Sequence, residues 1–303
     1  MRVTLINSVN VINTKKEDAQ KLPEIDSLQS VSEILHELNR MVGLDEVKEM
    51  VLEIYALAQI YKKRVQEKLK TNNISWHMVF KGNPGTGKTT VARIIGKLFK
   101  EIGLLSKGHL VEVERADLVG EYIGHTALKT REQIKKAMGG ILFVDEAYSL
   151  ARGGEKDFGR EAIDVIVKAS EDYRENLIII LAGYFDEMNY LLEQNPGLKS
   201  RFPIAITFPD YNDEQLFLIA QKFLEDWEYQ LSPEALFYLK QILKYLDQNK
   251  KSIGNARLIR NIIEKAIRRQ AVRLLRKTKV TKEDLLYLEK EDFEKAFWGL
   301  NLE

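Results

Sequence analysis

No cysteine occurs among the 303 residues. Disulfides, thiolate zinc sites and cysteine nucleophiles are thereby excluded, and the composition fits a reducing compartment. Histidine is scarce as well: His36, His77, His109 and His125 are scattered without metal-ligand spacing and read as surface or packing residues. Neither sign of charge dominates. A formal net charge of +1 implies neither a nucleic-acid footprint nor a polyanion-like surface. No apolar run approaches the roughly 20 residues of a membrane-spanning helix, and the first residues lack the uninterrupted apolar core of a signal sequence. These absences predict a cytoplasmic protein with no membrane partner and no nucleic-acid partner.

What is present centres on residues 82–89, which read Gly82, Asn83, Pro84, Gly85, Thr86, Gly87, Lys88 and Thr89. This phosphate-binding loop lies between an apolar run at 76–80 and an apolar-periodic stretch at 91–99. Glycines let backbone N–H groups close around phosphates, Lys88 can reach the β and γ oxygens, and the Thr89 hydroxyl, with Thr90 behind it, can ligate Mg²⁺ at a helix N-terminus. A plain Gly-rich turn seldom carries Gly-Lys-Thr in that setting.

Residues 1–30 are poorly patterned: 3–12 fit a short hairpin and 14–20 are charged, which suggests an appendage of unknown role. From Val31 a helical pattern runs through Ile34, Leu35 and Leu38 to a break at Val42, Gly43 and Leu44, and a second helix is predicted over 45–68. The apolar runs 77–80, 109–113, 141–144, 177–181 and 204–208 have the length and branching of buried strands. Helical stretches fall near 88–101, 128–138, 159–171 and 186–192. This alternation indicates an α/β fold with a doubly wound, five-stranded parallel sheet and ligand at the strands' carboxyl ends. Beyond Pro209, Asp210 and Tyr211 strand signals stop. Ser232 and Pro233 make a good helix start, serine as cap and proline at the first position. The expected divisions are thus an appendage at 1–30, a nucleotide-binding domain at 31–210 and a small all-α lid domain with a tail at 211–303.

A second chemical motif ends the run 141–144 in two carboxylates, Asp145 and Glu146. After a phosphate loop, such a pair suits Mg²⁺ ligation by Asp145 and orientation of the attacking water by Glu146. An Asn-Lys-x-Asp motif for reading guanine is absent, which disfavours a guanine-specific switch.

With these residues the chain resembles the AAA+ ATPases, and within them the branch of stage V sporulation protein K and the red-type Rubisco activases. The resemblance covers about 31–290 and is carried by FKGNPGTGKTTVARIIGKLF at 80–99, LVGEYIGHTALKT at 118–130, GGILFVDEAYSLARGGEKDFGREAID at 139–164, LAGY at 181–184, NPGLKSRFP at 195–203 and GNAR at 254–257. It implies a P-loop NTPase fold and a homo-oligomeric ring, a hexamer, with Mg·ATP lying between subunits. Arg201 matches the arginine that reaches a neighbour's γ-phosphate, a contribution typically worth about 10³–10⁵ in rate. Arg257 matches the second sensor arginine, which contacts the γ-phosphate within its own subunit; the alternative is one charge among Arg260, Arg268, Arg269, Arg273 and Arg276 on a solvated helix. Val42, Gly43 and Leu44 match the segment whose backbone meets the adenine ring.

Tyr122, Ile123 and Gly124 match the aromatic, apolar, glycine pattern of the pore-lining loop in ring-shaped remodelling ATPases, with 152–157 as a second channel loop. One departure stands out. At the end of the fourth strand, where many members carry a polar asparagine or threonine, this chain has Ala182, Gly183 and Tyr184. No residues for a sugar-phosphate effector transfer from the activases. The resulting expectation is an ATP-hydrolysing motor that remodels an unidentified protein client and is linked to spore formation. Two rivals are an ATP-gated scaffold with little turnover and a nucleic-acid motor of clamp-loader or helicase type, the latter disfavoured by the near-neutral charge.

Overall fold

Five apolar runs become five strands, all paired in parallel. In the computed structural model, which describes residues 24–71, 74–122, 124–152, 157–248 and 254–297, they are β1 (Met78–Lys81), β2 (Leu110–Val113), β3 (Ile141–Val144), β4 (Ile178–Gly183) and β5 (Ile204–Thr207), in the order β2-β3-β4-β1-β5. Alternation along the strands sorts their side chains to the two faces. Met78, Phe80, Ile141, Phe143, Ile178 and Ile180 pack into one apolar cluster. Val79, Leu142, Val144, Ile179 and Leu181 pack into another. The sheet is therefore buried on both faces, as its continuous apolar runs require.

Helices α1 (Glu24–Asn39), α2 (Asp45–Gln66) and α3 (Lys88–Glu101) line the first face. On α3, Val91, Ile94, Ile95 and Leu98 recur at helical spacing and are all buried. Phe80 stands at the middle of this face, 5.0 Å from the ring of Phe208 and 6.3 Å from that of Phe143. Truncating so enclosed an aromatic typically costs about 3–5 kcal/mol. The second face is covered by α5 (His125–Ala137), α6 (Gly159–Asp172), α7 (Phe185–Gln194) and α8 (Pro196–Arg201), with the short α4 (Arg115–Leu118) leading into α5.

After β5 come α9 (Asp213–Asp226), α10 (Pro233–Gln248), α11 (Asn255–Leu274), α12 (Lys282–Leu286) and α13 (Lys290–Phe297). Asn212 and Gln215 form a reciprocal capping box that starts α9. Ser232 Oγ accepts from the Ala235 N–H at 3.3 Å, with Pro233 first in α10. Leu216, Leu239, Ile259 and Phe293 of this helical unit belong to the same continuous apolar cluster as the first face. It also holds a feature that periodicity does not reveal: β6 (Gln230–Leu231) and β7 (Tyr287–Leu288) pair in parallel, each too short to show an alternation. Helix α1 begins at Glu24, seven residues before the pattern at Val31. Among the described residues no helix is long and apolar enough to cross a membrane.

Candidate functional site

The carboxyl edge of the sheet gathers most of the residues singled out above. β1 ends at Lys81 and the chain turns directly into the phosphate loop, pinned by the Gly82 N–H donating to the Gly183 carbonyl at 3.0 Å. Gly82 and Gly85 have φ of 155° and 72°. A Cβ at Gly82 would lie 2.4 Å from the Phe208 carbonyl oxygen, and one at Gly85 2.5 Å from that of Gly254. Only glycine fits either position. Helix α3 starts one residue after the last loop glycine, so its first turn presents N–H groups with no carbonyl ahead of them, the arrangement that receives a phosphate.

Lys88 lies folded over the loop, its Nζ donating to the carbonyls of Gly82 and Asn83, each at 2.8 Å. Burial lowers its pKa, and the carboxylates of Asp145, Asp210 and Glu146 oppose that shift. One ammonium thus sits in the field of three acids. Phosphate oxygens would replace two neutral carbonyls with stronger, charge-assisted acceptors. Thr86 donates to the Asn83 carbonyl at 2.8 Å, while Thr90 is exposed on the first turn of α3.

At the end of β3 the Asp145 carboxylate accepts the Glu146 N–H at 2.9 Å. Glu146 adopts a left-handed backbone, φ 46°, and its side chain is exposed. Its carboxylate is held out of the strand and accepts from the Tyr148 hydroxyl, a single contact that an attacking water could replace. Thr89 Oγ1 lies 3.5 Å from Glu112 Oε1 on β2, an acid the sequence reading passed over because it sits inside an ordinary strand. Among the described residues no group of three or more His, Asp or Glu side chains converges on a metal position. The donor set suits Mg²⁺, which takes one or two protein ligands and fills its shell with phosphate oxygens and water. Thr89 and Asp145 would supply the protein's share.

The turn at 41–44 lies against the same loop. Gly43 and Leu44 have φ of 57° and 58°. A Cβ at Gly87 would meet Met41 Cε at 2.9 Å and Leu44 Cδ1 at 3.5 Å. Val42 is half-buried beside them. From the helical unit, Arg257 stands in the first turn of α11 with its side chain exposed, and its backbone nitrogen would be 2.8 Å from a Cβ on Gly85. Two further groups escaped the sequence reading: Asp210, which accepts from Asn83 Nδ2 at 2.8 and 3.0 Å, and Asn255 beside Arg257. Both sit inside segments already quoted, at a domain junction and in GNAR, yet no local pattern ties them to the loop.

Arg201 is not brought to this site. It ends α8 just before β5 begins, and its carbonyl accepts from Ser75 ahead of β1, which puts it at the amino edge of the sheet. The intervening strands are four to six residues long, roughly 13–20 Å at the rise of an extended chain. Its guanidinium donates to Glu171 Oε2 at 2.8 and 3.1 Å and to the Gly197 carbonyl at 3.2 Å.

Tyr122 projects into solvent, 66% exposed, its ring meeting that of His125 edge-on at 5.4 Å. Ile123 lies outside the described residues, as do 153–156 of the second channel loop and most of the appendage at 1–30. Gly124 has φ 83°, with nothing within 4 Å of a Cβ there. Tyr184, at the departure noted above, is half-buried with its ring 5.6 Å from that of Tyr148. Of the four histidines, His77 is buried between the Ser170 carbonyl, 2.6 Å from Nε2, and the Ile179 N–H, 3.0 Å from Nδ1.

Comparison with known proteins gives the family and the fold. Residues 78–210 match the ATPase family associated with various cellular activities, AAA, and residues 212–300 match an AAA lid domain. The chain is 56% identical over 264 residues to stage V sporulation protein K of Bacillus subtilis, a match covering 86% of this chain and 82% of that one. Protein CbbX of Cereibacter sphaeroides is 48% identical over 244 residues, 80% of this chain and 79% of its own. A chloroplast ribulose bisphosphate carboxylase/oxygenase activase from Cyanidioschyzon merolae is 43% identical over 271 residues, 88% and 92% of the two chains. Among solved structures, a RuvB mutant of Thermotoga maritima superposes with a TM-score of 0.58 at 18% identity, covering 88% of this chain and 73% of that one. At that identity the likeness speaks for the fold alone.

Proposed function

The chain belongs to the AAA ATPase family and is an ATP hydrolase, and on that premise we propose that it works as a homo-oligomeric ring, a hexamer, that remodels a protein client. The observation that carries this reading is the distance between Arg201 and the loop at 82–89. A subunit that holds its phosphate loop at one edge of the sheet and its candidate transition-state arginine at the other cannot complete the site alone. Head-to-tail packing brings the amino edge of one subunit to the carboxyl edge of the next, and such packing forms a ring when the rotation between subunits closes.

In the proposed site the loop N–H groups and Lys88 hold the phosphates, Thr89 and Asp145 hold Mg²⁺, and the turn at 42–44 meets the base. Mg²⁺ held there would neutralise the negative charge of the phosphates. Glu146 orients the attacking water and accepts its proton. Arg201 of a neighbour offsets the charge that develops on the γ-phosphoryl oxygens, and Arg257 ties that event to the lid. Tyr122 carries the work: an exposed aromatic beside a glycine grips a polypeptide by apolar contact without reading its sequence. The similarity to a sporulation protein supports a client in spore formation, and the cysteine-free composition supports a cytoplasmic setting.

Hydrolysis per subunit is expected to rise with protein concentration as shared sites assemble. A specific activity that stays flat from dilute to concentrated protein, with no oligomer at either end, contradicts the shared site. Tyr122→Ala is expected to abolish client pulling, and pulling that persists in this variant removes the pore assignment.

A further inference from the structure

The phosphate loop is tied to the helical unit by a buried asparagine. Asn255, first in α11, is fully buried and has a left-handed φ of 46°, a conformation that asparagine tolerates better than most residues. Its Nδ2 donates to Asp210 Oδ1 at 2.8 Å and to the Pro84 carbonyl at 3.3 Å, while its Oδ1 accepts the Tyr211 N–H at 2.9 Å. Asp210 in turn accepts from Asn83, and the Tyr211 hydroxyl donates to the Thr86 carbonyl at 3.2 Å. The Ala256 N–H donates to the Gly85 carbonyl at 3.2 Å. Four consecutive loop residues, 83–86, are therefore each held by the junction or by α11.

The chemistry asks for asparagine. One short, fully buried side chain must accept once and donate twice; an ionised aspartate cannot donate, and leucine can do neither. A buried polar group that loses a partner is costly, which favours keeping the three bonds of Asn255 together. Lys88 adds the link to ligand. It holds the carbonyls of Gly82 and Asn83, so drawing it onto phosphate shifts the residue whose side chain bonds Asp210.

We propose that Asn255 is a positioning residue for the ATP site, a latch that makes loop geometry and lid angle change together without requiring the charge of Arg257. This rests on the reading of 82–89 as the ATP site. Asn255→Asp sets a second carboxylate against Asp210 and removes both donated bonds. Adding Asp210→Asn restores a donor and an acceptor facing each other, in the opposite sense, and leaves an oxygen to accept from Asn83.

The test measures equilibrium binding of a fluorescent ATP analogue to the full-length chain, with a thermal melt of each variant to check its fold. Asn255→Asp is expected to weaken binding roughly tenfold or more, and the double variant to recover most of that loss. A double variant that binds no better than Asn255→Asp, or Asn255→Asp binding like the unaltered chain, overturns the latch. Should Asn255→Asp fail to fold, Arg257→Ala decides: hydrogen exchange at 83–86 and 254–258 is expected to slow together on adding ATP. Protection confined to 83–86 in that variant assigns the coupling to Arg257 and overturns the proposal. If the unaltered chain itself binds no ATP, the site reading fails, whereas normal binding with an indifferent Asn255→Asp fails the latch alone.

Discussion

At the carboxyl edge of the sheet Lys88 donates to two loop carbonyls within the field of three carboxylates, on a loop where Gly82 and Gly85 admit no side chain. At the amino edge Arg201 rests on Glu171 in the open, their side chains 36% and 61% exposed. The contrast is one of commitment. The lysine is built in; the arginine is parked. An exposed ion pair contributes about 0–1 kcal/mol, whereas an arginine that neutralises a transferring phosphoryl group contributes about 10³ in rate or more, close to 4 kcal/mol. The weaker contact can therefore give way when a neighbouring subunit offers the stronger one. On the proposed reading, a subunit of this kind would carry two halves of one site on opposite sides of itself.

That contrast can be broken at either edge, and the largest effect is expected at the amino edge. Arg201→Ala is predicted to lower the steady-state hydrolysis rate by about 10³ or more while ATP still binds, as read by nucleotide affinity beside turnover. If the rate drops less than tenfold, the arginine is only the surface ion pair that the isolated subunit displays. At the carboxyl edge, Glu146→Gln is predicted to lose about 10²–10⁴ in rate and to trap ATP-bound oligomers; normal turnover by this variant removes Glu146 from the chemistry.

The smallest effect concerns the packing beneath Arg201. His77 lies 5.4 Å from the Phe202 ring, next to Arg201, and burial holds its pKa below the ordinary 6.5 despite the opposing bond to the Ser170 carbonyl. The unfolded chain therefore binds the proton more readily, so stability is full above pH about 6.5 and declines as pH falls below it toward the folded value. Chemical denaturation from pH 8 to pH 5 is expected to show this decline, with a shallower one in His77→Gln. Equal slopes would mean that His77 does not report on the amino edge.

How much of this is legible in the sequence depends on whether the information is local. The five strands and the helices α3 and α6 follow from apolar runs and helical periodicity, because a sheet buried on both faces needs continuous apolar residues. The loop at 82–89 and the pair Asp145, Glu146 are legible for the same reason: each is a compact motif whose neighbours in sequence define it. Helix α4, with four residues, and the pair β6 and β7, with two each, are too short to carry a period. The partnership of Asn83, Asp210 and Asn255 is illegible because it joins positions more than forty residues apart through single side chains. The place of Arg201 is legible only in part. Its motif can be matched from sequence, and its place just ahead of the run 204–208 in a parallel sheet already puts it at the amino edge, but its ion pair with Glu171 joins side chains thirty residues apart that no local pattern links.

The central claim is that neighbouring subunits complete one another's ATP site, and mixing tests it most directly. Arg201→Ala and Glu146→Gln subunits, each inactive alone, are combined under assembly conditions and steady-state ATP hydrolysis is measured against the total subunit concentration. A shared site predicts that activity returns in the mixture, because Glu146 of the first variant then faces Arg201 of the second. Mixed rings that form but hydrolyse no more than either variant alone would contradict it.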